Sequence, residues 1–269
     1  MQIFYQLDEI RDAGIASPAV TVGSFDGVHA GHRAILRALG EAARASGGQS
    51  VVVTFDPHPR RVLYPDDTGL KLLNSTEEKI VLLGQAGVDN LLVLPFTLAF
   101  SRIAPADFAR QYLLEGIGAK QIVMGYNHHF GQGRAGDRDY LESLKGAYDF
   151  EVVPVSRLEV SDKKVSSTVL RALIGAGALR QAREILTEPY FLIAETAANG
   201  ALTYTEPAKL LPPAGEYAVT VDNFNQLLDS RLLITAEGDL RLLPPLPATV
   251  RAGERVIVRF ADSDPVVQG

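Results

Sequence analysis

Short apolar runs alternate with helical stripes over the first two thirds of the chain. Residues 19–25 and 49–55 are runs of β-branched and aromatic side chains, and segments 90–95, 120–124 and 150–155 repeat the theme. Between them, apolar positions recur at helical spacing over 31–46, from about Ser75, over 104–115 and over 136–148. Ser75 and Glu78 have the spacing of a capping box. This alternation predicts an α/β fold, a doubly wound and mostly parallel sheet with helices on both faces. Ligands of such folds gather at the carboxyl ends of the strands, so polar motifs directly after strands become the candidates for chemistry.

Two short helical patterns follow at 169–176 and 178–187, and Pro189 ends the second. The texture then changes. Residues 190–269 are proline-rich with short β-like runs, such as 217–221 and 255–260. They predict a small all-β, barrel-like domain. The expected division is therefore 1–188 and 189–269. No internal repeat is visible.

Composition narrows the classes. Hydrophobic residues make up 46% and charged residues 22%, which is ordinary for a globular chain. The 26 basic and 32 acidic residues leave a net charge of −6, so a broad nucleic-acid-binding face is not expected. There is no cysteine, which excludes disulfides, thiolate catalysis and iron–sulfur clusters. The amino-terminal residues lack the pattern of a signal peptide. The greasiest run, 91–100, contains Pro95 and falls short of the ~20 apolar residues that span a bilayer. A cytoplasmic chain without membrane or nucleic-acid partners is expected; oligomeric state is not readable.

Two polar motifs sit at helix starts. The first is Gly23-Ser24-Phe25-Asp26-Gly27-Val28-His29-Ala30-Gly31-His32. His29 and His32, three apart, share a face at the mouth of a helix, and Gly27 and Gly31 permit close backbone approach. Unpaired N–H groups and imidazoles together suit a polyphosphate. The second motif is Lys164-Val165-Ser166-Ser167-Thr168-Val169-Leu170-Arg171. One hydroxyl there would suffice as a helix cap, and three with an arginine one turn on suit phosphate better.

His29-Ala30-Gly31-His32 resembles the HxGH signature of the nucleotidylyltransferase superfamily, and Ser166-Ser167-Thr168-Val169-Leu170-Arg171 its SSTxxR signature. With Gly23–His29, Thr54-Phe55-Asp56-Pro57-His58-Pro59-Arg60 and Gly125-Tyr126-Asn127-His128-His129-Phe130-Gly131, the match over about residues 1–190 resembles the prokaryotic bifunctional riboflavin kinase/FAD synthetase family. The resemblance implies adenylyl transfer from ATP to FMN, giving FAD and pyrophosphate, with Mg²⁺ accompanying ATP. It implies catalytic roles for His29, His32, Asn127 and Arg171. ATP contacts would come from Gly23, Phe25, Asp26, Gly31, Lys164, Ser167 and Thr168. Flavin contacts would come from His58, Arg60, His128, Phe130 and Arg134. Asp26 could equally be a turn former, and the His58–Arg60 stretch a rigid turn.

Two other patterns carry less. Gly131-Gln132-Gly133-Arg134-Ala135-Gly136 matches GxGxxG, but a dinucleotide fingerprint turns directly out of its strand, whereas this one starts about five residues later. A metal site from His29, His32, His58, His128 and His129 would need Asp26 as an extra ligand, and no His-Glu-x-x-His occurs. No protein metal ligands are assigned.

The chain departs from the family in its tail. Where the kinase domain carries a glycine-rich stretch and Pro-Thr-Ala-Asn, residues 194–208 keep only Gly200 and lack that motif. Leu211-Pro212-Pro213-Ala214-Gly215-Glu216-Tyr217-Ala218-Val219 resembles the strand that follows. A degenerate, kinase-like barrel without riboflavin kinase activity is expected. The alternatives are a non-catalytic flavin- or nucleotide-binding regulator, and an adenylyltransferase for another phosphorylated small molecule.

Overall fold

The computed structural model describes all residues except 66–68, 127, 157–158, 161–162, 198, 247–249 and 263–269. The described residues fall into two compact units. One draws on Met1–Phe25, Gly31–Leu70 and Ile80–Leu158, the other on Asp26–Ala30, Lys71–Lys79 and Glu159–Gly269.

The first unit is built on a six-stranded parallel sheet. Its strands are β1 (Gln2–Phe4), β2 (Ala19–Val22), β3 (Ser50–Asp56), β4 (Asn90–Pro95), β5 (Gln121–Gly125) and β6 (Glu151–Val155), in the order β1-β4-β3-β2-β5-β6. Helices α1 (Leu7–Asp12), α2 (Ala30–Ala45), α3 (Pro59–Leu63), α4 (Thr76–Gln85), α5 (Pro105–Phe108) and α6 (Arg138–Leu144) lie between strands. All four residues of β2 and the first five of both β3 and β4 are buried. Such unbroken apolar runs occur where a sheet is covered on both faces. Helix α2 sends Leu36, Leu39, Ala42 and Ala43 inward, one residue per turn or so. The chain leaves β2 for β3 on one side, then returns to place β5 on the other. The carboxyl ends of β2 and β5 therefore flank the topological switch point, where open α/β sheets bind ligands.

Several boundaries differ from the sequence pattern. The expected strand 19–25 stops at Val22, although the Gly23 amide still donates to the Val53 carbonyl at 3.0 Å. It ends because Phe25 turns into the left-handed region at φ 47°. The expected helix 104–115 is α-helical only to Phe108 and then widens into a π-helical turn, Ala109–Leu114. Apolar spacing over so few residues does not separate the two windings. The expected helix 136–148 is shorter because Asp137 caps it, accepting from the Tyr140 amide. Strand β1 and helices α1 and α3 have no counterpart in the sequence pattern; each is six residues or fewer, too short for a period to register.

The second unit holds a short ribbon, β7 (Glu159–Val160) with β8 (Lys163–Lys164), and helices α7 (Ser167–Gly175) and α8 (Leu179–Ile185). It also holds a closed antiparallel barrel. Its strands are β9 (Phe191–Thr196), β10 (Ala201–Thr203), β11 (Gly215–Asp222), β12 (Leu227–Ile234), β13 (Leu240–Leu243) and β14 (Arg255–Phe260), in the order β10-β13-β12-β11-β14-β9. One core joins barrel side chains such as Leu192, Val219, Leu232 and Val258 to Leu170, Ile174, Leu179 and Ala182 of α7 and α8. Among the described residues no helix is long and apolar enough to cross a membrane.

Candidate active site

In the first unit, three loops at strand carboxyl ends carry expected site residues. After β2, Gly23 precedes buried Phe25, whose ring lies 5.2 Å from that of His32. A Cβ on Gly23 would stand 3.0 Å from the Phe25 ring, so the glycine makes room for that turn. Gly31 and half-buried His32 occupy the first turn of α2. After β3, His58 caps α3, its Nδ1 accepting from the Arg60 amide at 3.2 Å, and Arg60 is exposed. After β5, Asn127 lies outside the described residues. The His128 amide donates to the Gly125 carbonyl at 3.0 Å. Burial, with His129 and Arg134 as like-charged neighbours, lowers the His128 pKa to about 4.

Phe130 is buried among Phe108, Tyr140 and the His128 ring, at 5.8, 6.3 and 6.4 Å between centroids. Arg134 is exposed, with φ 58°. The glycine pattern at 131–136 serves a tight turn, with Phe130 bridged to Gly136. Gly131, at φ 71°, abuts the Pro105 backbone, and a Cβ on Gly136 would stand 2.5 Å from the Phe130 ring. A short 3₁₀ turn at Gln132–Arg134 follows Gly131, rather than the α-helix start that a dinucleotide fingerprint needs.

In the second unit, Asp26 holds the two signature segments together. Its carboxylate is buried, and Oδ1 accepts from the amides of Leu73 and Asn74 at 3.0 and 3.1 Å. Oδ2 is ion-paired with Arg171, whose Nε donates to the Lys71 carbonyl at 2.7 Å. The Ser167 hydroxyl donates to the Asp26 carbonyl at 2.8 Å. Burial raises the Asp26 pKa, and the Arg171 guanidinium works against that rise. The three consecutive hydroxyls thus divide their work. Ser166 caps α7 by accepting from the Val169 amide, Ser167 ties α7 to the Asp26 loop, and Thr168 is exposed on the first turn. Lys164 falls in β8.

The backbone leading to His29 is unusual. Gly27 sits at φ 93° and β-branched Val28 at φ 35°, a region that such side chains rarely enter. Strain of this kind persists only where the surroundings impose it. Here the Gly27 amide donates to Asn74 Oδ1 at 2.9 Å, and a Cβ on Gly27 would meet Leu73 at 2.7 Å. His29, buried directly before α2, has its pKa lowered to about 4 by desolvation. It is therefore neutral at pH 7 and carries one ring N–H.

The structure brings Asp26, Ser167 and Arg171 into direct contact and places His29 in the same compact unit. His32, His58, His128 and Arg134 belong to the other unit. Sequence reasoning misses Asn74 and Lys209 and reads Glu78 only as a cap. Lys209 has one local signal, a lone charge before the apolar pair Leu210-Leu211. Among the described residues no group of three or more His, Asp or Glu is placed to hold a metal ion.

The part of the chain that matches a known family model takes in the loop after β2 and ends within the first turn of α7. The model for FAD synthetase matches residues 14–169. The chain belongs to the FAD synthetase family. Among curated relatives, this family member is 33% identical over 211 residues to a bifunctional riboflavin kinase/FMN adenylyltransferase of Pseudomonas fluorescens, covering 75% of the chain and 67% of that protein. It is 32% identical over 198 residues to an FAD synthetase of Listeria monocytogenes, covering 74% of the chain and 79% of that protein. It spans only 54% of a bifunctional Listeria relative, at 34% identity. A crystal structure described as a macrolide-efflux protein from Streptococcus pneumoniae superposes with a TM-score of 0.78 at 26% identity. That match covers 98% of the FAD synthetase family chain and 90% of the solved one, so the likeness extends through the barrel.

Proposed function

We propose that the protein transfers AMP from ATP to FMN, releasing pyrophosphate and forming FAD. The observation that carries this reading is the Asp26 junction, which joins the loop of His29 to the hydroxyl-and-arginine start of α7. A phosphate oxygen of FMN attacks the α-phosphorus of ATP in line. A new P–O bond forms as the bond to the β-phosphate oxygen breaks, and the electron pair leaves with pyrophosphate. FMN phosphate is already anionic, so no protein base is needed. The work left for the protein is positioning and stabilising charge.

In this reading His29 and His32 donate to phosphate oxygens that gain charge in the transition state. Thr168 and the amides of the first turn of α7 hold the β- and γ-phosphates. Arg171 adds positive charge there while Asp26 fixes its orientation. Gly23, Phe25 and Gly31 shape the loop around the nucleotide, with Lys164 and Asn127 as further contacts. His58, Arg60, His128 and Arg134 meet the flavin or its phosphate, and Phe130 supports that loop from the core. ATP enters as its magnesium complex, the ion held by phosphate oxygens and water. Asp26 is poorly suited as a metal ligand, because both of its oxygens already have partners.

We also propose that the barrel does not phosphorylate riboflavin, because the family's Pro-Thr-Ala-Asn kinase motif does not occur in residues 194–208. The Listeria relative named for FAD synthesis alone supports this reading. Purified protein incubated with Mg-ATP and either FMN or riboflavin tests both statements by chromatography. FAD from FMN alone is expected. Any FMN or FAD from riboflavin would overturn the second statement, and no FAD from FMN the first.

A further inference from the structure

A continuous buried polar chain links the barrel unit's Lys209 to the backbone that precedes His29. Lys209 is 1% exposed at its side chain, and its Nζ is paired with Glu78 Oε2 at 2.6 Å. The same ammonium donates to the carbonyls of Leu73 and Phe191, both at 2.8 Å, and stands 4.3 Å over the Tyr190 ring. The backbone around it is fixed as well. The Leu72 amide donates to the Ala208 carbonyl and the Leu210 amide to the Leu72 carbonyl, both at 2.7 Å.

Glu78 does more than cap α4. Beyond its reciprocal bonds with Ser75, it accepts from the Ile193 amide of β9 at 3.0 Å and faces the Asn74 side-chain N–H₂ at 3.4 Å. A carboxylate can only accept, so it fixes which end of the Asn74 amide points its way. The opposite end, Oδ1, is thereby aimed at the Gly27 amide. With the wrong amide orientation, two donors would face each other inside a buried site. Lys209 supplies the counter-charge of this buried carboxylate.

We infer that Lys209 is a positioning residue for adenylyl transfer, acting through Glu78 and Asn74 on the Gly27–His29 backbone, and that the barrel persists as part of the nucleotide site's scaffold. This rests on the adenylyltransferase reading above. It gives the barrel a role that needs no kinase motif.

The test uses the full chain and three variants: Lys209→Met, Lys209→Met with Glu78→Gln, and Asn74→Ala. A displacement of about 1 Å costs on the order of a hundredfold in rate. Asn74→Ala, which leaves the Lys209–Glu78 pair intact, should therefore lower kcat by at least about tenfold with the FMN KM changed less than twofold. Lys209→Met should do the same and lower the Tm. The double variant removes the unpaired carboxylate and should recover much of the Tm, but not kcat, because the introduced glutamine amide can present a donor to Asn74. Hydrogen exchange at the Gly27 amide, read without substrate, should quicken in all three.

Recovery of Tm and kcat together in the double variant would reduce Lys209 to structural glue and overturn the inference. So would wild-type kcat, or unchanged Gly27 protection, in Asn74→Ala. Absence of FAD formation by the wild type would instead overturn the adenylyltransferase reading, and Gly27 exchange would still decide whether Lys209 positions that backbone.

Discussion

Arg171 and Asp26, 145 positions apart, form an ion pair in which the arginine is 18% and the aspartate 3% exposed at the side chain. The aspartate is committed three ways, to this guanidinium and to two backbone amides, so removing its charge strands a partly buried cation. Asp26→Asn keeps an acceptor for Leu73 and Asn74 but loses the pair. Breaking a buried pair costs about 3–5 kcal/mol, and the partial exposure of Arg171 sets the expectation near 3. Urea denaturation checks the stability. The accompanying loss of FAD formation should exceed what unfolding explains, because Arg171 loses its tie to the Asp26 loop while the Ser167 bond to the backbone remains.

Arg171→Ala removes the other partner and leaves buried Asp26 with the smaller influence of Lys79 as counter-charge. Burial already raises the Asp26 pKa and Arg171 opposes the rise, so the variant's aspartate is raised further. A carboxyl group whose folded pKa lies above its unfolded value destabilises the fold at neutral pH. That penalty shrinks as pH falls towards the unfolded value near 4. The stability gap between wild type and Arg171→Ala is therefore expected to narrow from pH 7.5 to pH 5. A gap constant over that range would show that the pair does not control the Asp26 proton. Pyrophosphate inhibition should weaken in the same variant.

In the mechanism proposed above, His32→Ala removes a transition-state donor. Loss of one such donor typically costs 10²–10³ in kcat, so a fall of about a hundredfold is expected while FMN still binds. Steady-state kinetics and flavin-fluorescence titration separate the two effects. Turnover within threefold of wild type would remove His32 from the chemistry.

Much of this arrangement is legible in local pattern, because local pattern is what builds it. The Val-rich run of β3 and the apolar stripe of α2 encode their own burial, and the Ser75–Glu78 spacing encodes a cap that the structure contains. The loop from Phe25 to Val28 stands out in the sequence, but its left-handed turns do not. Nothing in Phe25 or Val28 itself favours positive φ, and the partners that hold the intervening Asp26 and Gly27 are Leu73 and Asn74, 47 positions away along the chain. Lys209 shows only as a lone charge before Leu210-Leu211, since its partner Glu78 lies 131 positions away and no periodicity connects them.

The GxGxxG turn makes a contrast between two of its own glycines. Gly131 has φ 71°, and a Cβ there would stand 2.7 Å from the Pro105 Cα, which is backbone and cannot swing aside. Gly133 has φ 62° but open space around it. Gly133→Ala should therefore cost about 1 kcal/mol for the backbone conformation alone. Gly131→Ala adds overpacking and should cost about 2–4 kcal/mol. Equal Tm values for the two variants would contradict the close approach at Pro105.

Acid should weaken the fold before most carboxylates titrate. Desolvation holds His29 at a pKa of about 4 against the usual 6.5, so the folded state stays neutral there while the unfolded chain protonates. For a histidine whose folded pKa is depressed, stability is complete above about pH 7.5. It falls as pH drops through 6.5, and the loss levels off below about 4. The full drop attributable to His29 is on the order of 3 kcal/mol. Half-buried His128, also lowered to about 4, adds loss in the same direction over the same window. His29→Asn should flatten the upper part of this profile, because the asparagine takes up no proton. Urea midpoints of wild type and variant measured every half unit from pH 7.5 to pH 4.5 check this. Parallel curves would mean that His29 is already solvated enough to titrate in the folded state, and its assignment as a neutral donor to phosphate at pH 7 would fall with it.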